Sequence, residues 1–380
     1  MEILKFTEKH ATFRERLRLF LEKEVVPLIP QCEKEHITPR SMWKKMGSNG
    51  FLCPTVPVEY GGGGLDFLYS VIVNEEMAKI SFTGLAAGLH SDIVVPYISA
   101  YGDERQKKYY LPECVSGNII AAVAMTEPDA GSDVAAMVTT AVEDGDEIVI
   151  NGSKTFISNG VNCDIVILAA KDPAVGNKHQ AVSLYIVEAG TPGFTKGAPF
   201  EKMGWNSQDT SELFFSDCRI PKKNRLGNAG DGFLMLMGKL QQERLVCSLG
   251  ALFAAENMFN YTKEICRNTL VDGRALSRSQ AVQFALSEMA TEIRIVRTFM
   301  ESLVIDHMDC KQIISETSMA KYWTTDMVNR IGCRCMDLEG SAGSLESSPL
   351  VRQFRDNRVT SIFAGTNEIM KGIIAKMMQL

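Results

Sequence analysis

The sequence has no run of about 18 apolar residues, so no segment is expected to cross a bilayer as a helix. Its opening stretch, MEILKFTEKHATFRERLRLF, is charged throughout and lacks the apolar core of a secretory signal, so none is expected. The simplest compartment is the cytoplasm of a bacterium or archaeon, although a processed organelle protein would read the same. A Rossmann nucleotide-binding fold is excluded because strands and helices do not alternate and no G-x-G-x-x-G turn occurs. The ten cysteines are scattered, unlike a secreted disulfide scaffold. Only Cys333 and Cys335 are close, without a second pair at zinc-ligand spacing, so no metal site is expected and both read as helix positions. A net charge of -6 gives no electrostatic reason to expect nucleic acid or an anionic membrane as partner.

What is present is a long chain with ordinary globular composition. Its 380 residues exceed what one core organises, so two or three domains are expected. Residues 1–120 read as helical: Phe13 to Val26 and Leu65 to Ile80 repeat apolar residues at three- and four-residue steps, the period of one buried helix face. Between them PVEYGGGGLDF demands a turn or a close backbone approach. Over 121–229 the period shortens. AAVAM, DEIVING, CDIVILAA, AVSLYIVEAG and ELFFSD are β-rich runs bounded by turn residues, which suggests a small antiparallel barrel or sandwich. Helical periodicity returns over 230–380, in segments beginning at Phe233 and over Ala281 to Leu303 and Ile314 to Leu338. The fold class is thus α+β, mostly α, ordered helices, strands, helices.

Four blocks are similar to signatures of the acyl-CoA dehydrogenases: AVAMTEPDAGSD (Ala122 to Asp133) with KTFISNG (Lys154 to Gly160), MGWNSQDTSELFFSDCRIP (Met203 to Pro221), LQQERL (Leu240 to Leu245) and FAGTNEIMK (Phe363 to Lys371). The resemblance covers essentially the whole chain. It implies an N-terminal helical domain, a central β domain and a C-terminal four-helix bundle, with FAD as cofactor and α,β-dehydrogenation of an acyl-CoA as activity. Negative charge arriving at the flavin edge needs hydrogen-bond donors. By resemblance these are the Met125 N–H and the Thr126 hydroxyl, while Phe156 packs on the ring, Ser158 reaches N5, and Ser132 touches phosphates of FAD or CoA. Thr366 and Glu368 match family contacts to the FAD diphosphate and ribose, and Gln280 matches a contact to a neighbouring subunit's FAD.

The substrate side needs a carboxylate base and donors that polarise the thioester carbonyl. The commoner family position of the base is occupied here by Ala364, which has no acid. The second position, seen in relatives resembling isovaleryl-CoA and long-chain acyl-CoA dehydrogenases, is Glu243. The resemblance gives Arg244 a supporting role and the Ala364 N–H a contact to the carbonyl. Asp92, in LHSDIVVPY, lies where a few dehydrogenases of cyclic acyl-CoAs carry a second base; the plainer reading is a local hydrogen bond near Pro96. There are also departures. Thr269, Asp272 and Gly273 replace the family's Arg-x-x-Phe-Gly, Gly340-Ser341 replaces Gly-Gly near the FAD adenosine half, Asp337 stands where Gln is usual, and Glu339 replaces His or a small apolar residue. The resemblance further implies an electron-transferring flavoprotein as acceptor and a dimer of dimers. Two other readings stand beside the main one. One is a dehydrogenase of a cyclic acyl-CoA using Asp92; the other is a desulfinase-like, oxygenase-like or scaffold protein that no longer dehydrogenates.

Overall fold

In the computed structural model, which describes residues 3–380, the elements follow the expected order. Six helices lead: α1 (Glu8–Phe20), α2 (Ile29–Glu35), α3 (Arg40–Ser48), α4 (Phe67–Lys79), α5 (Val95–Tyr101) and α6 (Glu104–Ser116). In α1 and the π-helical turn after it, His10, Phe13, Leu17, Leu21 and Val25 are the buried residues, the one-faced pattern read from the sequence. Helix α4 departs from that pattern. It is buried on every side from Phe67 to Val73, because Tyr69, Ile72 and Val73 pack into the N-terminal core while Phe67, Leu68 and Val71 pack into the C-terminal bundle. The four-glycine stretch ahead of it serves both purposes anticipated. Gly61 turns left-handed at φ 82°, and Gly62 lies so close to Val56 that a Cβ would stand 2.0 Å from its carbonyl oxygen.

Eight strands follow: β1 (Ala121–Ala124), β2 (Thr140–Asp144), β3 (Glu147–Ile157), β4 (Ile165–Lys171), β5 (Val182–Glu188), β6 (Phe194–Lys196), β7 (Ser211–Pro221) and β8 (Arg225–Leu226). They pair in the order β6-β7-β3-β2-β4-β5-β8, with β1 beside β4. The sheet is not wholly antiparallel, as the sequence had suggested: β1 runs parallel to β4, with Ala121 opposite Ile165. The long excursion through β2 and β3 supplies the crossover that a parallel pair requires. Strand β4 explains its own unbroken apolar run. Ile165, Ile167 and Ala169 face the N-terminal helices, while Val166, Leu168 and Ala170 face the sheet's second core.

The 37-residue α7 (Gly232–Asn268) then packs along α8 (Gln280–Met308) and α9 (Ile314–Glu339); α10 (Pro349–Asn357) and α11 (Asn367–Met377) close against α9. Cys333 and Cys335 fall on α9, and among the described residues no cluster of acidic, His or Cys side chains could hold a metal. Also among the described residues, no helix is long and apolar enough to cross a membrane. A hairpin missed in the sequence joins α7 to α8: β9 (Leu270–Val271) and β10 (Arg274–Ala275) flank Asp272 and Gly273, both at positive φ. Arg297 of α8 ties the two helical ends together, forking onto Glu256 of α7 at 2.5 and 2.6 Å and approaching Glu75 of α4.

The turn before α4 gives a test of the close approach. Gly62→Ala should lower the melting temperature clearly, by about 1–3 kcal/mol of stability. Gly50→Ala, at φ 75° but with no atom near the added Cβ, should cost only about 1 kcal/mol. Equal melting temperatures for the two variants would show that the Val56 contact does not constrain the turn.

Candidate active site

A cavity of about 560 Å³ opens where the sheet, the N-terminal helices and the bundle meet. Met125, Thr126 and Ser132 line it from the loop after β1, Phe156 and Ser158 from the end of β3, Glu243 and Arg244 from α7, and Ala364 from the turn before α11. Residues separated by up to 239 positions thus share one wall system. Its floor is apolar and small-grained, with Ala86, Ala87, Gly250, Ala251 and Ala254 among the lining residues. The size and the few convergent polar groups suit a large organic ligand.

The two loops on the sheet side are fastened by a buried ion pair that the sequence did not reveal. Lys154, wholly buried, donates to Glu127 Oε1 at 2.8 Å and to the Met125 carbonyl at 3.0 Å. Burial pushes the Lys154 ammonium down to about 8. Burial also works against the Glu127 carboxylate, but hydrogen bonds from Lys154, Thr139 and Val138 hold it below its ordinary value, so the pair is ionised. The Thr155 N–H donates to the Thr126 carbonyl at 2.9 Å and completes the seam. Phe156 then stands at φ 56° with 68% of its surface exposed, ring to ring with Phe200. An aromatic face left open on a cavity wall, backed by strained backbone, fits a flat ring laid against it. A Cβ added at the neighbouring Gly131 meets no protein atom within 4 Å, so this wall has room.

Glu243, 4% exposed, lines the same cavity from α7. Desolvation pushes its carboxyl up to about 7, offset in part by the hydrogen bond from Tyr97 and the fields of Arg244 and Lys239. Arg244 is also buried; its Nε has no hydrogen-bond partner and its Nη1 reaches only Ser318 Oγ at 3.4 Å. An under-satisfied guanidinium on a cavity wall is a donor awaiting an acceptor. Ala364 adopts a left-handed φ of 52°, and the next carbonyl, Gly365, is pinned by the Lys321 ammonium at 2.6 Å. Lys321 also meets Asn367 Oδ1 at 3.0 Å, and Asn367 in turn donates to Asp326 at 2.8 Å. Trp205 seals the side of the cavity: its indole donates to the Asp356 carbonyl at 2.9 Å and its ring abuts Phe363. Burial lifts the Asp356 carboxyl to about 7.

The other residues singled out from sequence lie off this cavity. Gln280, Asp337, Gly340 and Ser341 are exposed on the surface of the bundle, as is Thr269. Glu339 accepts from Ser348 Oγ at 2.6 Å. Thr366 caps α11, accepting from the Ile369 N–H, and Glu368 sits in that helix's first turn. Asp92 is buried in a π-helical turn, Leu89–Val94, and is not on the wall. Its carboxylate does not bond locally near Pro96 as the plainer reading held: it reaches across to α4, accepting from Ser70 Oγ at 2.6 Å and Asn74 at 3.5 Å. The extra residue of the π turn swings it toward that helix.

Comparisons with known proteins agree with this architecture. Residues 7–118 match the acyl-CoA dehydrogenase N-terminal domain, 122–218 its middle domain and 230–379 its C-terminal domain. The mitochondrial long-chain specific acyl-CoA dehydrogenase of Sus scrofa is 40% identical, over 98% of this chain and 86% of its own length. A crystal structure of an acyl-CoA dehydrogenase from Geobacillus kaustophilus superposes with a TM-score of 0.96 at 50% identity, covering 99% of both chains. A structure described as the electron transferring flavoprotein of Acidaminococcus fermentans gives 0.94 at 32% identity, covering 99% of both. The chain belongs to the acyl-CoA dehydrogenase family. It is an oxidoreductase of FAD-dependent acyl-CoA dehydrogenation.

Asp92 offers a test of placement. Burial lifts its carboxyl from 3.8 to about 7, against the hydrogen bonds from Ser70 and Asn74. The folded chain therefore holds this proton more tightly than the unfolded one, and the group's contribution to stability is lost as pH rises through that window. Asp92→Asn should leave activity within about threefold, as expected of a group off the wall. Its melting temperature should gain on the wild type from about pH 4 to pH 8. A loss of activity of about a hundredfold or more with FAD bound would put Asp92 into the chemistry.

Proposed function

We propose that Glu243 is the base of an α,β-dehydrogenation of a long, straight-chain acyl-CoA thioester. The observation that carries the reading is a buried carboxyl group lining the same cavity as the exposed ring of Phe156, while the alternative family position holds Ala364. FAD, when bound, supplies the hydride acceptor. Met125 and Thr126 would hold the pyrimidine edge of the flavin, Phe156 its ring, Ser158 its N5 and Ser132 a phosphate. Glu243 takes the α-proton in its ionised form. The left-handed turn at Ala364 supports its N–H as a donor to the thioester carbonyl, and Arg244 would offer its unpartnered Nε–H as a further donor. Asp92 has no part in this reading, because its carboxylate is turned to Ser70 and Asn74.

The preference for a long acyl chain draws on the pig relative and on the small residues of the floor. A Cβ at Gly250 would meet nothing within 4 Å. The proposal also takes the protein to be a cytoplasmic homotetramer. Gln280, Asp337, Gly340 and Ser341 are exposed and off the cavity, as residues reaching a neighbouring copy's FAD would be; Thr366 and Glu368 would meet FAD at the start of α11. Thr269 in the hairpin cannot make the ionic contact of an Arg, so that part of the assembly relies on other residues. Electron-transferring flavoprotein as acceptor is supported by the A. fermentans likeness.

Glu243→Gln should reduce turnover by about a thousandfold or more while FAD stays bound. In the wild type, kcat/KM should rise with pH through about 7, as the carboxyl loses its proton. Retention of turnover in the Gln variant would remove Glu243 from the mechanism.

A further inference from the structure

Glu243 needs more than burial to serve as a base: one oxygen must face the substrate, and the side chain must not fold away. The hydroxyl of Tyr97 donates to Glu243 Oε1 at 2.8 Å. Tyr97 comes from α5, directly after the π-helical turn, and is wholly buried. Glu243 lines the cavity and Tyr97 does not, so the tyrosine grips the carboxylate from behind. We propose that Tyr97 is a positioning residue that fixes one carboxylate oxygen of Glu243 and leaves Oε2 turned to the substrate. The inference rests on the reading of Glu243 as base.

The surroundings make Tyr97 the controlling partner. Among the described residues, no Lys, Arg or His lies within ion-pair distance of Glu243, although its charge is felt by Arg244 and Lys239 on the same helix. Lys239 is turned to the Tyr101 ring, 5.5 Å from its centroid, and on its other side influences His307 of α8. Arg244 is directed to Ser318 of α9, where Lys321 also lies. Asp92 is engaged by α4, and Tyr101 meets Tyr97 only ring to ring, at 6.2 Å. Among the described residues, the phenol therefore supplies the one direct hydrogen bond to the base. Burial and the facing carboxylate both push the Tyr97 hydroxyl well above its ordinary value, so it stays a donor throughout the working range. A donor to the ionised form favours ionisation.

The test is the pH profile of flavin reduction by acyl-CoA in rapid-mixing experiments on the FAD-loaded enzyme. Tyr97→Phe keeps the ring and removes the donor. Its acid limb should move up by about one pH unit, with flavin reduction about tenfold slower below the limb. Affinity for an unreactive acyl-CoA analogue should stay within about twofold, since the binding walls are untouched. Replacing Tyr97 with 3-fluorotyrosine, a stronger donor of nearly the same shape, should move the limb down; this arm decides the matter if the Phe variant does not fold. A limb that stays put in the folded variants would make Tyr97 a packing residue and overturn the proposal. Glu243→Gln separates the two claims: if it still reduces flavin, the base assignment itself fails, whereas an inactive Glu243→Gln beside unmoved Tyr97 profiles defeats only the positioning role.

Discussion

Taking a carboxylate out of water costs several kcal/mol unless other dipoles replace its hydration. Among the described residues, Glu243 meets that constraint with one hydrogen bond, from Tyr97, and with two cations held at a distance rather than in contact. An ion pair would keep the group ionised but lower its appetite for a proton. Burial without any donor would keep it neutral. The arrangement between these limits sets the carboxyl near pH 7, where it can both lose and accept a proton.

The rest of the site is built to hold that carboxyl facing a fixed wall. Helix α7 runs unbroken for 37 residues, so Glu243 is carried on a rigid rod packed against α4, α8 and α9. On the sheet side, the Lys154–Glu127 pair fastens the loop after β1 to the end of β3, and it does so from a buried position where solvent salt screens it much less than a surface pair. Lys321 holds the Ala364–Gly365 turn, and the Asp356 carboxyl accepts from the Trp205 N–H and holds Trp205 at the cavity wall. Each of these charged groups has its main partner on the protein backbone or in another segment of the chain. Breaking one would loosen a wall without touching the reacting atoms.

Much of this was legible in the sequence, for identifiable reasons. The change from a three-to-four step to short β-rich runs and back marked the order of helices, strands and helices, because periodicity reports which faces are buried. It misjudged α4, whose two faces are claimed by two different cores, and the β1–β4 pairing, because strand direction depends on chain routing rather than on side-chain pattern. The Asp272–Gly273 hairpin carried a turn signal that its helical setting masked. Motif blocks brought Met125, Thr126, Ser132, Phe156, Ser158, Glu243, Arg244 and Ala364 to one cavity. Their partners were silent: Tyr97 meets Glu243 across 146 positions and Lys154 meets Glu127 across 27, pairings that no local pattern encodes.

The central claim is that this cavity removes a proton and a hydride from an acyl-CoA thioester. The direct measurement is an anaerobic titration of the purified FAD-loaded protein with straight, branched and cyclic acyl-CoAs of graded length, following flavin absorbance. The account predicts bleaching, strongest with long straight-chain thioesters and accompanied by the enoyl-CoA product. An oxidised flavin spectrum that survives every member of the panel, with Glu243 intact, would contradict it and point to a member of the family that no longer dehydrogenates.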